Sequence, residues 1–90
     1  MFKTLEELIS VIRQRKRSST EESYTSKLLN NKKLSAEKVK EEITELIEAI
    51  EKNTNKVHEA ADVLYHLMVL LEASGIKIED VIDELKKRQK

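Results

Sequence analysis

Apolar residues recur at helical spacing from one end of this chain to the other, and nowhere do they alternate with the period of two that marks a strand. Phe2, Leu5, Leu8, Ile9 and Ile12 mark a first helix that ends near a polar stretch, Ser18-Ser19-Thr20-Glu21-Glu22, read as a loop. A brief helix is expected over about 24 to 29, then a turn at Asn30-Asn31-Lys32-Lys33. Ser35 is the expected N-cap of a third helix, which carries Val39, Ile43, Leu46, Ile47 and Ile50 on its inner side and stops near Asn53-Thr54-Asn55. The fourth, over roughly 56 to 74, is apolar on most sides beyond Ala60 and therefore takes the central place, with Gly75 suited to its C′ position. A last helix over about 79 to 87 opens on acids and closes on Lys86, Lys87 and Arg88, the order the helix macrodipole favours, with Val81, Ile82 and Leu85 expected inward. With no proline and a single glycine to break it, the chain reads as one all-α domain over residues 1–90, built of four main helices and a short one.

Length changes that picture. Ninety residues bury only a modest fraction of their surface, and the flanking helices barely suffice to cover a central helix this apolar. A homo-oligomer is therefore expected, with a dimer as the minimal case. Seventeen Lys plus Arg balance seventeen Asp plus Glu, which argues against a general nucleic-acid partner, although the cluster Arg13, Arg15, Lys16, Arg17 has the charge to meet phosphates. The absence of cysteine removes disulfides and thiolate nucleophiles and disfavours structural zinc. Lys3, Glu6 and Glu7 interrupt any apolar signal at the amino terminus, and the apolar stretch around Leu67 is too short for a bilayer, so a cytoplasmic setting with no membrane partner is expected.

Candidate chemistry enters with charge placed inside helices. Glu42 with Glu45, and again Glu59 with Asp62, stand three residues apart in two different helices. Each pair projects from one helical face, and two facing helices can enclose a hard cation from both sides. Taken alone, Glu41-Glu42-Ile43-Thr44-Glu45 also reads as a solvated charged face. The second pair shifts the balance, because Glu59 and Asp62 directly precede Val63, Leu64, Leu67, Met68, Val69, Leu70 and Leu71, and carboxylates at a buried edge need a counter-charge. Oxygen ligands favour Mg²⁺ or Mn²⁺ over Zn²⁺, with waters and substrate phosphates completing the shell. His66 continues the face one turn beyond Asp62 and reads either as a hydrogen-bonded core histidine or as a residue that orients a ligand from behind. Tyr65 reads as core or interface, and Met68 as filling.

Five segments then fall in a telling order. Arg15-Lys16 closes the first helix; Ser23-Tyr24-Thr25-Ser26-Lys27-Leu28-Leu29 follows; next comes Lys38-Val39-Lys40-Glu41-Glu42-Ile43-Thr44-Glu45. Thirteen residues separate Glu45 from Glu59-Ala60-Ala61-Asp62-Val63-Leu64-Tyr65-His66-Leu67, and Gly75-Ile76 leads on to Glu84-Leu85 and Arg88. Over nearly the whole chain this series resembles the phosphoribosyl-ATP pyrophosphohydrolases of histidine biosynthesis, members of the all-α (MazG-like) nucleotide pyrophosphohydrolase superfamily.

The resemblance implies a four-helix-bundle-like fold completed by dimerisation, and Mg²⁺-dependent hydrolysis of phosphoribosyl-ATP to phosphoribosyl-AMP and pyrophosphate. It implies Glu42, Glu45, Glu59 and Asp62 as metal ligands, and Glu41 beside Glu42 and Glu45 in the catalytic set, as an auxiliary ligand or a group that orients water. It further implies Arg15, Lys27 and Lys38 as phosphate contacts, and Ser23, Tyr24 and Thr25 as the residues that shape the substrate loop. A water attacking the α-phosphate in line needs positioning and electrostatic help but no covalent nucleophile. Two positions depart from the family pattern: Lys40 and Glu22 each stand where a glycine is usual. They bear on the substrate more than on the reaction, so a relative acting on another nucleoside triphosphate is one alternative, and a non-catalytic helical nucleotide-binding or interaction module is another.

Overall fold

The computed structural model describes residues 1–17 and 23–89. Five helices succeed one another among them: α1 (Lys3–Arg17), α2 (Tyr24–Leu29), α3 (Lys32–Lys52), α4 (Lys56–Ala73) and α5 (Ile78–Arg88), with no strand among the described residues. The all-α expectation is met, and the loop expected at 18–22 lies outside the described residues. No helix among the described residues is long and apolar enough to cross a membrane.

Small polar residues make the junctions. Ser23, in extended backbone, caps α2 by accepting the Ser26 N–H at 3.0 Å. Asn31, and not Ser35, caps α3: its side-chain oxygen accepts the Leu34 N–H at 3.1 Å. The helix thus begins a turn earlier than expected, and Ser35 lies buried inside it at 1 % exposure. Between α3 and α4 the chain turns on Asn53 and Asn55, both left-handed at φ 56° and 42°, a region asparagine tolerates better than most residues that carry a Cβ. So short a turn folds α4 back antiparallel along α3. The far end of α4 closes on Gly75 at φ 73°, where the Ile76 N–H reaches the Leu71 carbonyl at 2.9 Å and the Gly75 N–H reaches Glu72 at 3.1 Å.

α4 is central, as its apolar composition implied, and α1, α2, α3 and α5 all pack on it. The core gathers where α1, α2 and α4 meet, around Ile12, Leu28, Leu29 and Val69, with Leu8, Leu34, Tyr65, Met68 and Ala73 packed against them. Arg13 fastens this end by bonding Glu79 and lying 3.4 Å from Glu72, while Lys16 donates to the Glu72 backbone carbonyl at 2.7 Å. Two members of the basic cluster therefore join α1 to the end of α4 and the start of α5.

α3 is covered on fewer sides. Among the described residues only α4 and the short α2 pack on it, so of the expected inward stripe Val39 is buried and Leu46 half-buried, whereas Ile43, Ile47 and Ile50 are 42 %, 53 % and 57 % exposed. α5 departs from expectation in the same way: it packs on α4, with the Arg13–Glu79 bond tying its start to α1, and Ile82 and Leu85 face outward while Val81 is half-buried.

Candidate metal centre

Antiparallel pairing of α3 with α4 brings the two acidic pairs together. Carboxylate oxygens of Glu42, Glu45 and Glu59 lie within 4.8 Å of one another, and so do ligand atoms of His58, Glu59 and Asp62. Glu59 belongs to both groups, and Asp62 lies close enough to Glu42 for its charge to act there. Three of the four expected ligands, Glu42, Glu45 and Glu59, therefore converge across the helix pair, and Asp62 joins them through Glu59.

The Oε2 atoms of Glu42 and Glu59 are each buried with no hydrogen-bond partner among the described residues. Burial pushes the pKa of both carboxyls up, and the neighbouring Glu45 and Asp62 charges push the same way. Orphaned carboxylate oxygens in a cluster of like charge are costly to the fold, and a hard divalent cation removes both the repulsion and the lost hydrogen bonds. An all-oxygen core of this kind fits Mg²⁺.

Other expected site residues take varied places. Glu41 turns outward to Lys38, at 3.3 Å, and stands apart from the converging carboxylates. That bond raises the Lys38 pKa. Tyr24 lies near enough to Lys38 and Glu42 to feel both charges, and partial burial raises its own pKa. Ser23 is occupied in capping α2. Thr25 Oγ1 hydrogen-bonds the Tyr65 hydroxyl, so Tyr65 tethers α2 to α4 in addition to packing against the core. Arg15 and Lys27 are exposed, on the last turn of α1 and on α2. Lys40 is exposed too, and its backbone carbonyl accepts the Thr44 hydroxyl at 3.0 Å. Glu22 lies outside the described residues.

His66 is 6 % exposed, with Tyr24 Oη 3.0 Å from its Nε2 and the Asp62 carbonyl 2.8 Å from its Nδ1. It backs Asp62 through the main chain and not through the carboxylate. Sequence reasoning passed over His58, whose Nε2 is 3.4 Å from Asp62 Oδ2. Its i,i+4 spacing to Asp62 was the available signal, and an exposed helix position at the start of α4 hid it.

The sequence pattern described as phosphoribosyl-ATP pyrophosphohydrolase matches residues 5–89. A phosphoribosyl-ATP pyrophosphatase of Metallosphaera sedula is 44 % identical over 93 aligned positions that cover all of both chains. Another, of Sulfurisphaera tokodaii, is 46 % identical and covers 96 % of this chain and 95 % of its own. The chloroplastic histidine biosynthesis bifunctional protein of Arabidopsis thaliana is 43 % identical over 94 % of this chain, which spans only 33 % of the plant protein. Since the match runs through every helix and takes in both acidic pairs, the chain belongs to the phosphoribosyl-ATP pyrophosphohydrolase family.

Proposed function

We propose that this chain hydrolyses phosphoribosyl-ATP to phosphoribosyl-AMP and pyrophosphate, the second step of histidine biosynthesis, as a cytoplasmic, Mg²⁺-dependent homodimer. The observation that carries the reading is the convergence of Glu42, Glu45 and Glu59, with two buried orphan oxygens, in a chain of this family. Glu42, Glu45, Glu59 and Asp62 are the residues that would hold the ion. When bound, it supplies a polarised water and neutralises charge on the polyphosphate. The His58 nitrogen beside Asp62 makes Mn²⁺ acceptable as well.

The protein's own part is positioning. Glu41 is assigned to orient the attacking water beside Glu42 and Glu45, a role that requires it to swing away from Lys38. Lys38, close enough to the Tyr24 hydroxyl for its charge to act there, is assigned with Arg15 and Lys27 to phosphate oxygens, where ionised donors bond strongly. Ser23, Tyr24 and Thr25 form the substrate segment at the start of α2. In-line attack on the α-phosphorus breaks the bond to the bridging oxygen, so the water oxygen stays on phosphoribosyl-AMP and pyrophosphate departs. The uncovered apolar stripe of α3 supports a second copy as the dimer partner.

The direct test incubates purified protein with phosphoribosyl-ATP, ATP or dUTP, with and without Mg²⁺, and measures released pyrophosphate. Release from phosphoribosyl-ATP alone, and only with the ion, is the expected result. Release from another nucleotide instead overturns the substrate, release without a divalent ion overturns the metal assignment, and silence with all three overturns the enzyme reading.

A further inference from the structure

Two consecutive residues of α2 are bonded to two consecutive residues of α4: Tyr24 to His66, and Thr25 to Tyr65. The rings interlock as well, with Tyr65 edge-on to His66 at 5.0 Å between centroids and Tyr24 edge-on at 5.8 Å. Packing explains the other end of α2, where Leu28 and Leu29 enter the core. It does not explain a buried histidine flanked by two phenols at the end that leads into the substrate segment.

The hydrogen bonds settle where the protons are. A backbone carbonyl can only accept, so the 2.8 Å contact to Asp62 requires the proton of His66 on Nδ1. In the neutral ring Nε2 is then a bare acceptor, and the Tyr24 hydroxyl 3.0 Å away must donate to it. We propose that His66 and Tyr65 are positioning residues that lock the start of α2 onto the carboxylate helix, and that the lock commits the Tyr24 proton to His66. With its proton so committed, the Tyr24 oxygen, close enough to Lys38 and Glu42 to feel their charges, is left as an acceptor only. It suits a donor on the nucleotide, such as a ribose hydroxyl, and is a poor partner for a phosphate oxygen, which offers no proton.

This inference rests on the pyrophosphohydrolase reading for its substrate, but the lock itself can be read without turnover. Long-range ¹H–¹⁵N correlation spectra of the wild-type protein near neutral pH should show the His66 proton on Nδ1; a proton on Nε2 overturns the proposal whatever the activity. In kinetics, Tyr24→Phe and His66→Asn should each raise KM for phosphoribosyl-ATP about tenfold, the worth of roughly one hydrogen bond, with kcat within about twofold. The double variant should be no worse than the weaker single. His66→Gln, which keeps a polar atom where Nε2 was, should recover most of the loss. Inhibition by pyrophosphate should be unchanged in Tyr24→Phe, because phosphate is not its partner. Additive losses, a fall in kcat at constant KM, or pyrophosphate binding weakened as much as substrate binding would each overturn the assignment. A wild-type protein inactive on phosphoribosyl-ATP sinks the function reading, while the spectrum still judges the lock.

Discussion

Glu42 and Glu59 give the site a pH dependence whose sign follows from their surroundings. Burial and neighbouring carboxylates hold both pKa values above the ordinary range, so the metal-free folded state binds these protons more tightly than the unfolded chain does. Their contribution to stability is present below the ordinary carboxylate pKa and is lost as pH rises through the raised one. Glu79, held below its ordinary pKa chiefly by the Arg13 hydrogen bond, works in the opposite sense and loses its contribution as pH falls. At neutral pH the metal-free protein is thus expected to carry a deficit that Mg²⁺ repairs; an ion at a hundred times its Kd adds about 2.7 kcal/mol. Glu42→Gln should raise the metal-free melting temperature at pH 7 while abolishing both the Mg²⁺-induced shift and metal-dependent turnover. Asp62→Asn should likewise lose turnover with helicity intact by circular dichroism. Activity surviving both changes would remove these carboxylates from the metal site. The two acidic pairs were legible in the sequence because i,i+3 spacing is a property of one helix and needs no tertiary knowledge. The outward turn of Glu41 was not, since Lys38 competes for it from the same helix. The bonds from Tyr24 and Thr25 were not legible either, because they depend on how α2 docks.

Among the elements, α2 is the one that cannot stand alone. Six residues are far below the length at which an isolated helix holds in water, so its position depends on Leu28 and Leu29 at one end and on the bonds to Tyr65 and His66 at the other. Leu28 is fully buried where α1, α2 and α4 meet. Leu28→Ala should therefore cost about 2–5 kcal/mol by urea denaturation, in the range for deleted core leucines. A milder test belongs to the end of α4. A Cβ at Gly75 would meet nothing within 4 Å, so Gly75→Ala incurs only the left-handed backbone penalty, about 1–2 kcal/mol. A loss well beyond that would mean the junction to α5 is held by more than its turn. Gly75 was readable in advance because glycine after an apolar helix has few other uses. The start of α3 was not, because Asn31 and Ser35 are both good caps one turn apart; the choice fell to Asn31, and Lys32 and Lys33 extend the helix readily.

At the scale of the molecule the chain is more extended than its length requires: its radius of gyration is 14.1 Å, against about 12 Å for a compact domain of ninety residues. The excess follows from α3, which at 21 residues is roughly 31 Å long and, among the described residues, is packed only by α4 and α2. Composition announced this surplus of apolar surface, which is why an oligomer was expected. Which residues stay uncovered depends on packing; on the α3–α4 pair they include Ile43, Ile47 and Ile50, at i, i+4 and i+7 along α3, with Leu64 and Leu67 exposed on α4. Spacing of that kind is what a facing helix of a second copy would cover. Wild-type protein is expected to sediment as a dimer at micromolar concentration, with a melting temperature that rises with concentration. Ile47→Glu, which puts a charge in the middle of the stripe, should give a monomer whose melting temperature ignores concentration. A variant that still dimerises would place the interface elsewhere. Because Glu42 and Glu45 lie on the same helix as the stripe, loss of the second copy is also expected to lower Mg²⁺ affinity, as α3 loses the support that holds those carboxylates toward α4. Titration of the ion into the monomeric variant tests that coupling separately from assembly.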